Sequence, residues 1–147
     1  LAHRCEYVLS TQGIRWYNDS KGTNIGATQA AITSVGDDLI GKVVLLAGGL
    51  AKGQDFKLLQ EPIQRYVKQV ILFGEDATLI ASQLADATEI KLVGSFEEAV
   101  KQAQLTAQHG DAVLLSPACA SFDMFKDYQE RGNIFKKLVQ ELVAVSS

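Results

Sequence analysis

The sequence has 147 residues, of which 47% are hydrophobic and 21% are charged, and its formal net charge at pH 7 is −3. This profile predicts one folded domain over residues 1–147 and excludes a disordered or fibrous chain. The acidic balance and scattered basic residues argue against nucleic acid as a partner, and no apolar run approaches the roughly 20 residues that cross a membrane.

The cysteines and histidines form no metal-binding pattern. Cys5 and Cys119 lie at opposite ends of the chain, and neither His3 nor His109 is clustered with them as metal ligands would be. We therefore expect reduced thiols and no metal site in a cytoplasmic protein without a secretion leader, although a disulfide is also compatible with the sequence. The chain begins at Leu1, and we expect it to be part of a longer or processed protein.

The first part of the chain changes from a β pattern to a helical one. Residues 4–18 alternate around a glycine-containing turn at residues 11–13, which predicts a β-hairpin. From Thr23, a candidate N-cap, to Gly36, apolar side chains recur every three or four positions and predict a helix. The positions that carry this period are Ile25, Thr28, Ile32 and Val35.

The remainder alternates between apolar runs and helical segments. Strands are predicted at residues 43–47, 70–73, 90–93 and 113–115, and the first two have the continuous apolar character of strands buried on both faces. Helices are predicted at residues 61–66 and 78–87, from the capping box of Ser95 and Glu98 onward, and from about Gln129. This alternation predicts one α/β domain, a mostly parallel sheet flanked by helices with an N-terminal β-hairpin.

Three loops follow strands, and the carboxyl edge of a parallel sheet is where α/β proteins bind ligands. In the first loop, residues 18–24, Asp19 and Lys21 precede a helix start. Exposed N–H groups, the helix dipole and the lysine would favour an anion there. Simple capping by Ser20 or Thr23, with Asp19 and Lys21 as a solvated pair, is the alternative.

The second and third loops are rich in small residues. The second, residues 48–55, holds Lys52 among glycines without a complete phosphate-binding signature, which suits either a tight turn or a carboxylate contact. In the third, residues 116–123, the hydroxyl groups of Ser116 and Ser121 could donate to a carboxylate. A buried loop packed against the next helix is the alternative. By themselves the three loops predict an anion-binding domain without identifying the anion.

The same segments together resemble the C-terminal domain of the Mur ligases. The matching segments are residues 3–6 (HRCE), 16–24 (WYNDSKGTN), 46–49 (LAGG) with Lys52, 114–125 (LLSPACASFDMF) and 128–132 (YQERG). They cover essentially the whole chain in order, and the last two are similar to the D-glutamate-adding members of the family.

The resemblance implies a Rossmann-like fold and a part in an amide-forming reaction of peptidoglycan synthesis that uses ATP and Mg²⁺. In the family this domain binds the incoming amino acid, here D-glutamate, and closes over ATP held by the central domain. The residues implied to hold D-glutamate are Lys21, Thr23, Lys52, Ser121, Phe122 and Tyr128. Arg4 and Asp19 would face the nucleotide.

Two positions depart from the family pattern. Phe122 stands where leucine is common, and a contact there can be made through the backbone. Gly22 stands where alanine is common, and we expect this glycine to loosen the helix start without removing a ligand contact.

The catalytic machinery is expected outside these residues. No P-loop occurs in the sequence, and no carboxylate cluster suited to Mg²⁺ accompanies the three loops. The resemblance assigns the ATP-binding and UDP-binding sites to a central and an N-terminal domain, so we expect no catalytic residue here, no cofactor bound to this chain alone and no activity. The alternative is a stand-alone α/β regulatory module that binds a small anion or a nucleotide.

Overall fold

The computed structural model describes residues 1–143, which form a six-stranded sheet and five α-helices. The strands are β1 (Glu6–Thr11), β2 (Ile14–Asn18), β3 (Val43–Gly48), β4 (Val67–Phe73), β5 (Glu89–Leu92) and β6 (Ala112–Leu115). The helices are α1 (Ile25–Gly36), α2 (Gln60–Tyr66), α3 (Ala77–Leu84), α4 (Phe96–Thr106) and α5 (Tyr128–Leu138). A 3-10 helix (Phe56–Leu59) precedes α2, and a π-helical turn (Val139–Val143) continues α5. Within residues 1–143, no helix has the length and apolar content to cross a membrane.

One sheet organises the chain in the order β1-β2-β6-β3-β4-β5. The hairpin of β1 and β2 is antiparallel and turns at Gln12 and Gly13, whose φ angles of 54° and 76° suit a tight two-residue turn. The other strand pairs are parallel, which confirms the predicted α/β fold with its N-terminal hairpin. Because β6 returns between β2 and β3, the loops that follow these three strands are neighbours at one edge of the sheet.

Helices cover both faces of the sheet. Val43 and Leu45 of β3 belong to a core shared with α1, α2 and α3, whereas Val44 and Leu46 belong to a core shared with α4 and α5. All of β3 is therefore buried, which explains its continuous apolar run. Edge strand β5 is the exception, since most of its residues are exposed.

Two helix starts differ in detail from the predictions. The N-cap of α1 is Asn24, so the prediction of Thr23 as the N-cap is wrong; the backbone N–H of Thr23 instead closes a tight turn onto the carbonyl oxygen of Lys21. Ser95 caps α4 as predicted by accepting from the N–H of Glu98 at 3.1 Å. The Glu98 carboxylate, however, accepts from the N–H of Gly94 and not from that of Ser95.

The start of β6 is fixed by the buried carboxylate of Asp111. It accepts from the backbone N–H groups of Lys42 (2.9 Å) and Gln108 (2.8 Å) and from the Lys68 ammonium (2.7 Å). Burial alone would raise the pKa of Asp111, but these three donors outweigh it and hold the pKa below its ordinary value of 3.8. The charged carboxylate therefore stabilises the end of the sheet opposite the three loops.

We expect Asp111→Asn to lower the free energy of unfolding by about 2 kcal/mol at pH 7, because the amide replaces an acceptor with a donor. A lowered folded-state pKa gives stability that is present above about pH 4 and lost as the pH falls through the folded pKa. The deficit of the variant should therefore shrink in urea denaturation at pH 3. Asp86→Asn, on the exposed Asp86, is the control, and an Asp111→Asn deficit that stays constant with pH would contradict the prediction.

Candidate functional site

The three polar loops meet at the carboxyl ends of β2, β6 and β3. The backbone N–H of Ala118 donates to the carbonyl oxygen of Gly22 (2.7 Å) and joins the third loop to the first. Leu50 and Ala120 form an isolated antiparallel bridge that joins the second loop to the third. The expected gathering of the loops is therefore present, and direct backbone hydrogen bonds hold it.

A cavity of about 560 Å³ opens between the N-terminal segment, the first loop and α1. It is lined by Arg4, Cys5, Asp19, Lys21, Gly22, Thr23, Asn24, Ala27, Ala30, Ala31, Ser34 and Tyr128. Five of the eight proposed site residues share this wall, from both the D-glutamate and the nucleotide sets. Lys52, Ser121 and Phe122 are not among the lining residues and lie in the second and third loops.

Several backbone N–H groups around the start of α1 are already hydrogen-bonded, which changes the interpretation of the first loop. The N–H groups of Lys21, Gly22 and Thr23 donate to carbonyl oxygens within the protein. The N–H of Ile25 is taken by the Gln54 side chain, and Asn24 caps the next turn. The alternative of capping by Ser20 or Thr23, with Asp19 and Lys21 as a solvated pair, is therefore wrong, because Asn24 caps the helix and Asp19 is buried.

Asp19 is buried in the wall of the cavity. One of its oxygens accepts from the backbone N–H of Cys5 (3.0 Å) and the other from the Ser116 hydroxyl (2.7 Å). Burial raises the pKa of Asp19, while these hydrogen bonds and the charges of Arg4 and Arg131 oppose the rise. The carboxylate therefore ties the N-terminal segment to the end of β6 as well as facing the cavity.

Ser116 does not serve the role that the sequence indicated. Its side chain is fully buried, and its hydroxyl is committed to Asp19 and lies 2.9 Å from the Thr28 hydroxyl. The expectation that it donates to a ligand carboxylate is wrong, because the hydroxyl is used inside the protein. Ser121 is also buried, and its carbonyl oxygen accepts from two following N–H groups, which folds the third loop into a turn.

Lys52 projects from the apex of the second loop. Its φ of 53° is in the left-handed region, and the residue is exposed. Its ammonium nitrogen lies 5.9 Å from the centroid of the Phe122 ring, which is 65% exposed. The two interpretations of this loop are therefore compatible: it is a tight turn, and it presents a solvated cation beside the third loop.

The buried side chain of Arg131 was not recognised from the sequence. From α5 its guanidinium donates to the hydroxyl (2.9 Å) and carbonyl oxygen (2.6 Å) of Ser20 and to the carbonyl oxygen of Cys119 (3.0 Å). Burial lowers the pKa of Arg131 to about 10, so it stays charged at neutral pH. The spacing Tyr128, Arg131, Phe135 along one helical face was the signal for its burial.

A second polar cluster surrounds His3, which precedes Arg4 in the chain. The ring of the buried His3 lies 2.9 Å from the Asn18 amide and edge-on to Tyr128. Burial, with the nearby Lys136 charge, lowers the pKa of His3. His3 is therefore a packed residue of this cluster. His109 is exposed and packs against Gly13.

The described residues offer neither a metal site nor a reactive thiol. Among residues 1–143, no three His, Cys, Asp or Glu side chains are grouped to hold a metal ion. Cys5 and Cys119 are both free thiols. Burial raises the pKa of Cys5 to about 11 and that of Cys119 to about 12, so neither is a ready nucleophile.

Comparison with curated proteins gives matches along nearly all of this chain. It is 55% identical over 142 residues to the UDP-N-acetylmuramoylalanine–D-glutamate ligase of Pseudomonas aeruginosa. It is 53% identical over 142 residues to the protein of that name from Coxiella burnetii. Each alignment covers 97% of this chain and 32% of the relative. The chain thus spans about a third of the length of the curated relatives it matches.

Solved structures share the fold at low sequence identity. Escherichia coli FolC, in complex with DHPP and ADP, aligns with a TM-score of 0.68 at 16% identity, covering 96% of this chain and 32% of that one. A murein peptide ligase from Psychrobacter arcticus aligns with a TM-score of 0.66 at 12% identity, covering 97% of this chain and 29% of that one. The family model described as Mur ligase, glutamate ligase domain matches residues 3–119. The chain therefore belongs to the Mur ligase, glutamate ligase domain family.

Proposed function

We propose that this chain is the amino-acid-binding domain of an ATP-dependent ligase that joins D-glutamate to UDP-N-acetylmuramoyl-L-alanine in peptidoglycan synthesis. The observation that carries the proposal is the set of cationic and hydroxyl side chains at the carboxyl edge of the sheet, in a chain 55% identical to a ligase of that name. The reaction would take place in the cytoplasm.

D-Glutamate presents two carboxylates and one amine. Lys21 and Thr23 lie on the cavity wall, and Lys52 lies at the apex of the neighbouring loop. Two ammonium groups can each meet one carboxylate through charge-assisted hydrogen bonds. The remaining residues proposed for D-glutamate are Ser121, Phe122 and Tyr128. With both carboxylates held, the amine is left to attack the activated acceptor, so the contribution of this domain is positioning.

The nucleotide is proposed to contact the same cavity through Arg4 and Asp19. Its volume of about 560 Å³ is in the usual range for a small-molecule site. Arg4 offers a permanent cation, Asp19 a carboxylate that can accept from a hydroxyl, and Ala27 and Ala30 an apolar wall, so the residues present fit a nucleotide. ATP supplies the phosphoryl group that activates the acceptor carboxylate. Its binding loop and the Mg²⁺ ligands are proposed to belong to the other domains of the ligase.

An NMR titration of the 147-residue chain tests this proposal. With D-glutamate we expect amide shifts at Lys21, Lys52 and Ser121, and weak affinity, because only part of the closed site is present. Shifts confined to another surface would overturn the proposal. Tight, saturable ATP binding without any response to D-glutamate would favour a stand-alone nucleotide-binding regulatory module instead.

In the complete ligase, we expect Lys52→Ala to raise the KM for D-glutamate at least about 10-fold, because a charge-assisted contact to a substrate carboxylate is lost. The KM values for the other two substrates should change little. Steady-state kinetics with each substrate varied in turn measure this. Lys57→Ala, which removes an exposed lysine from the 3-10 helix of the same connection, is the matched control. Equal effects of the two variants would remove Lys52 from the site.

A further inference from the structure

The Gln54 side chain joins the second and third loops of the candidate site to the start of α1, which directly follows the first loop. Its oxygen accepts from the backbone N–H of Ile25 (2.9 Å), at the start of α1. Its nitrogen donates to the carbonyl oxygens of Ala51 (3.0 Å) and Ala118 (2.8 Å), in the second and third loops. One amide therefore bonds the backbone of three segments that are far apart in sequence.

The geometry requires an amide at this position. Gln54 meets one donor and two acceptors, and a glutamine amide supplies one acceptor and two N–H donors. A glutamate would keep the bond to the N–H of Ile25 but would turn a negative oxygen toward two carbonyl oxygens. Gln54→Glu is consequently a variant of nearly the same size that breaks two of the three contacts.

The same residue closes the turn that carries Lys52. The backbone N–H of Gln54 donates to the carbonyl oxygen of Ala51 (3.2 Å), which also accepts from the Gln54 side chain. Lys52 lies between them with a left-handed backbone. The N–H of Ala51 is held by the Asp76 carboxylate at 2.8 Å. The apex of the second loop is thus held at two points. Asp76 binds the N–H of Ala51, and Gln54 binds the start of α1, just after Thr23.

We propose that Gln54 is a positioning residue that acts through Lys52 and fixes its ammonium group relative to the rest of the D-glutamate site. This inference rests on the function proposed above. Small displacements of a binding group cost a large part of its effect. Loss of the Gln54 contacts should therefore weaken D-glutamate binding without removing any group that touches the substrate.

The test uses the complete ligase and varies each of the three substrates in turn. We expect Gln54→Ala and Gln54→Glu each to raise the KM for D-glutamate about 5- to 50-fold, with the other two KM values within about twofold of wild type. Gln64→Ala, at an exposed glutamine of α2, should leave all three unchanged. In a Lys52→Ala background, Gln54→Ala should add less than about twofold, since residues that act through one contact are not additive.

The outcomes separate the two proposals. If Lys52→Ala raises the KM for D-glutamate and the Gln54 variants do not, the positioning role is overturned and the proposed function stands. If none of these variants changes that KM, Lys52 is not part of the D-glutamate site and the positioning role is overturned with it, whereas a complete ligase that does not use D-glutamate would overturn the proposed function. Equal increases for all three substrates, or a full additional increase in the Lys52→Ala background, would show a general structural role and would overturn the inference. If Gln54→Ala does not fold, the same comparisons with Gln54→Glu decide the question.

Discussion

Gly48→Ala is expected to lower the free energy of unfolding by more than about 3 kcal/mol, which is a large part of the stability of a domain of this size. Gly48 ends β3 with a φ of 132°, a backbone conformation that side chains disfavour. A Cβ atom at this position would lie 1.9 Å from the carbonyl oxygen of Phe73, its partner on β4. Because both strands are in the core, neither backbone can yield without breaking the ladder.

A second glycine of the same loop allows the cost of backbone strain to be measured without the cost of a steric clash. Gly53 also has a positive φ, 73°, but a Cβ there would meet no atom within 4 Å. Gly53→Ala should therefore cost only about 1 kcal/mol, the backbone strain alone. Urea denaturation of both variants at neutral pH measures the difference. Equal losses of stability would show that the backbone moves away from the clash with Phe73 at no cost, and would contradict the prediction.

Sequence patterns were sufficient for the fold because they follow from burial. The continuous apolar run of β3 is buried by helices on both faces, and the alternating hairpin lies at the edge of the sheet. Strand order then brings the three loops together without any side chain having to specify it. The burial pattern was therefore enough to predict the strands and helices, and to predict that the loops bearing Lys21 and Lys52 lie at the same edge of the sheet.

Hydrogen-bond partners could not be derived in the same way, because several side chains competed for each role. Thr23 and Asn24 were both chemically able to cap α1, and only the tight turn at Thr23 decides between them. Ser116 looked available for a ligand, but the buried Asp19 takes its hydroxyl. Gln54 carried no periodic signal, since its partners are backbone groups far away in sequence.

Gly22 shows how one departure from a family pattern can be interpreted physically. A Cβ there would lie 2.7 Å from both an Asp19 carboxylate oxygen and the Ser116 hydroxyl oxygen. The expectation that glycine only loosens the helix start is therefore incomplete. In this chain the glycine also leaves room for the hydrogen bond from Ser116 to Asp19, and Asp19 lines the cavity.

The buried side chain of Arg131 connects the first and third loops of the candidate site to α5. It is fully buried and bonds the first loop through Ser20 and the third through Cys119. The Ser20 hydroxyl in turn donates to the carbonyl oxygen of Tyr128 (2.6 Å), at the start of α5. Removal of the guanidinium would leave two buried carbonyl oxygens without donors, and each such group costs about 1–3 kcal/mol.

We therefore expect Arg131→Met to lower the free energy of unfolding by about 3 kcal/mol, because methionine fills similar space but donates no hydrogen bond. Arg131→Lys should also be destabilised, since one ammonium cannot reproduce the planar set of donors. Lys137→Met on the exposed side of α5 is the control and should change stability by less than about 0.5 kcal/mol. Urea denaturation measures all three. A loss below about 1 kcal/mol for Arg131→Met would mean that relief of charge burial offsets the lost contacts, and that packing alone holds the first and third loops against α5.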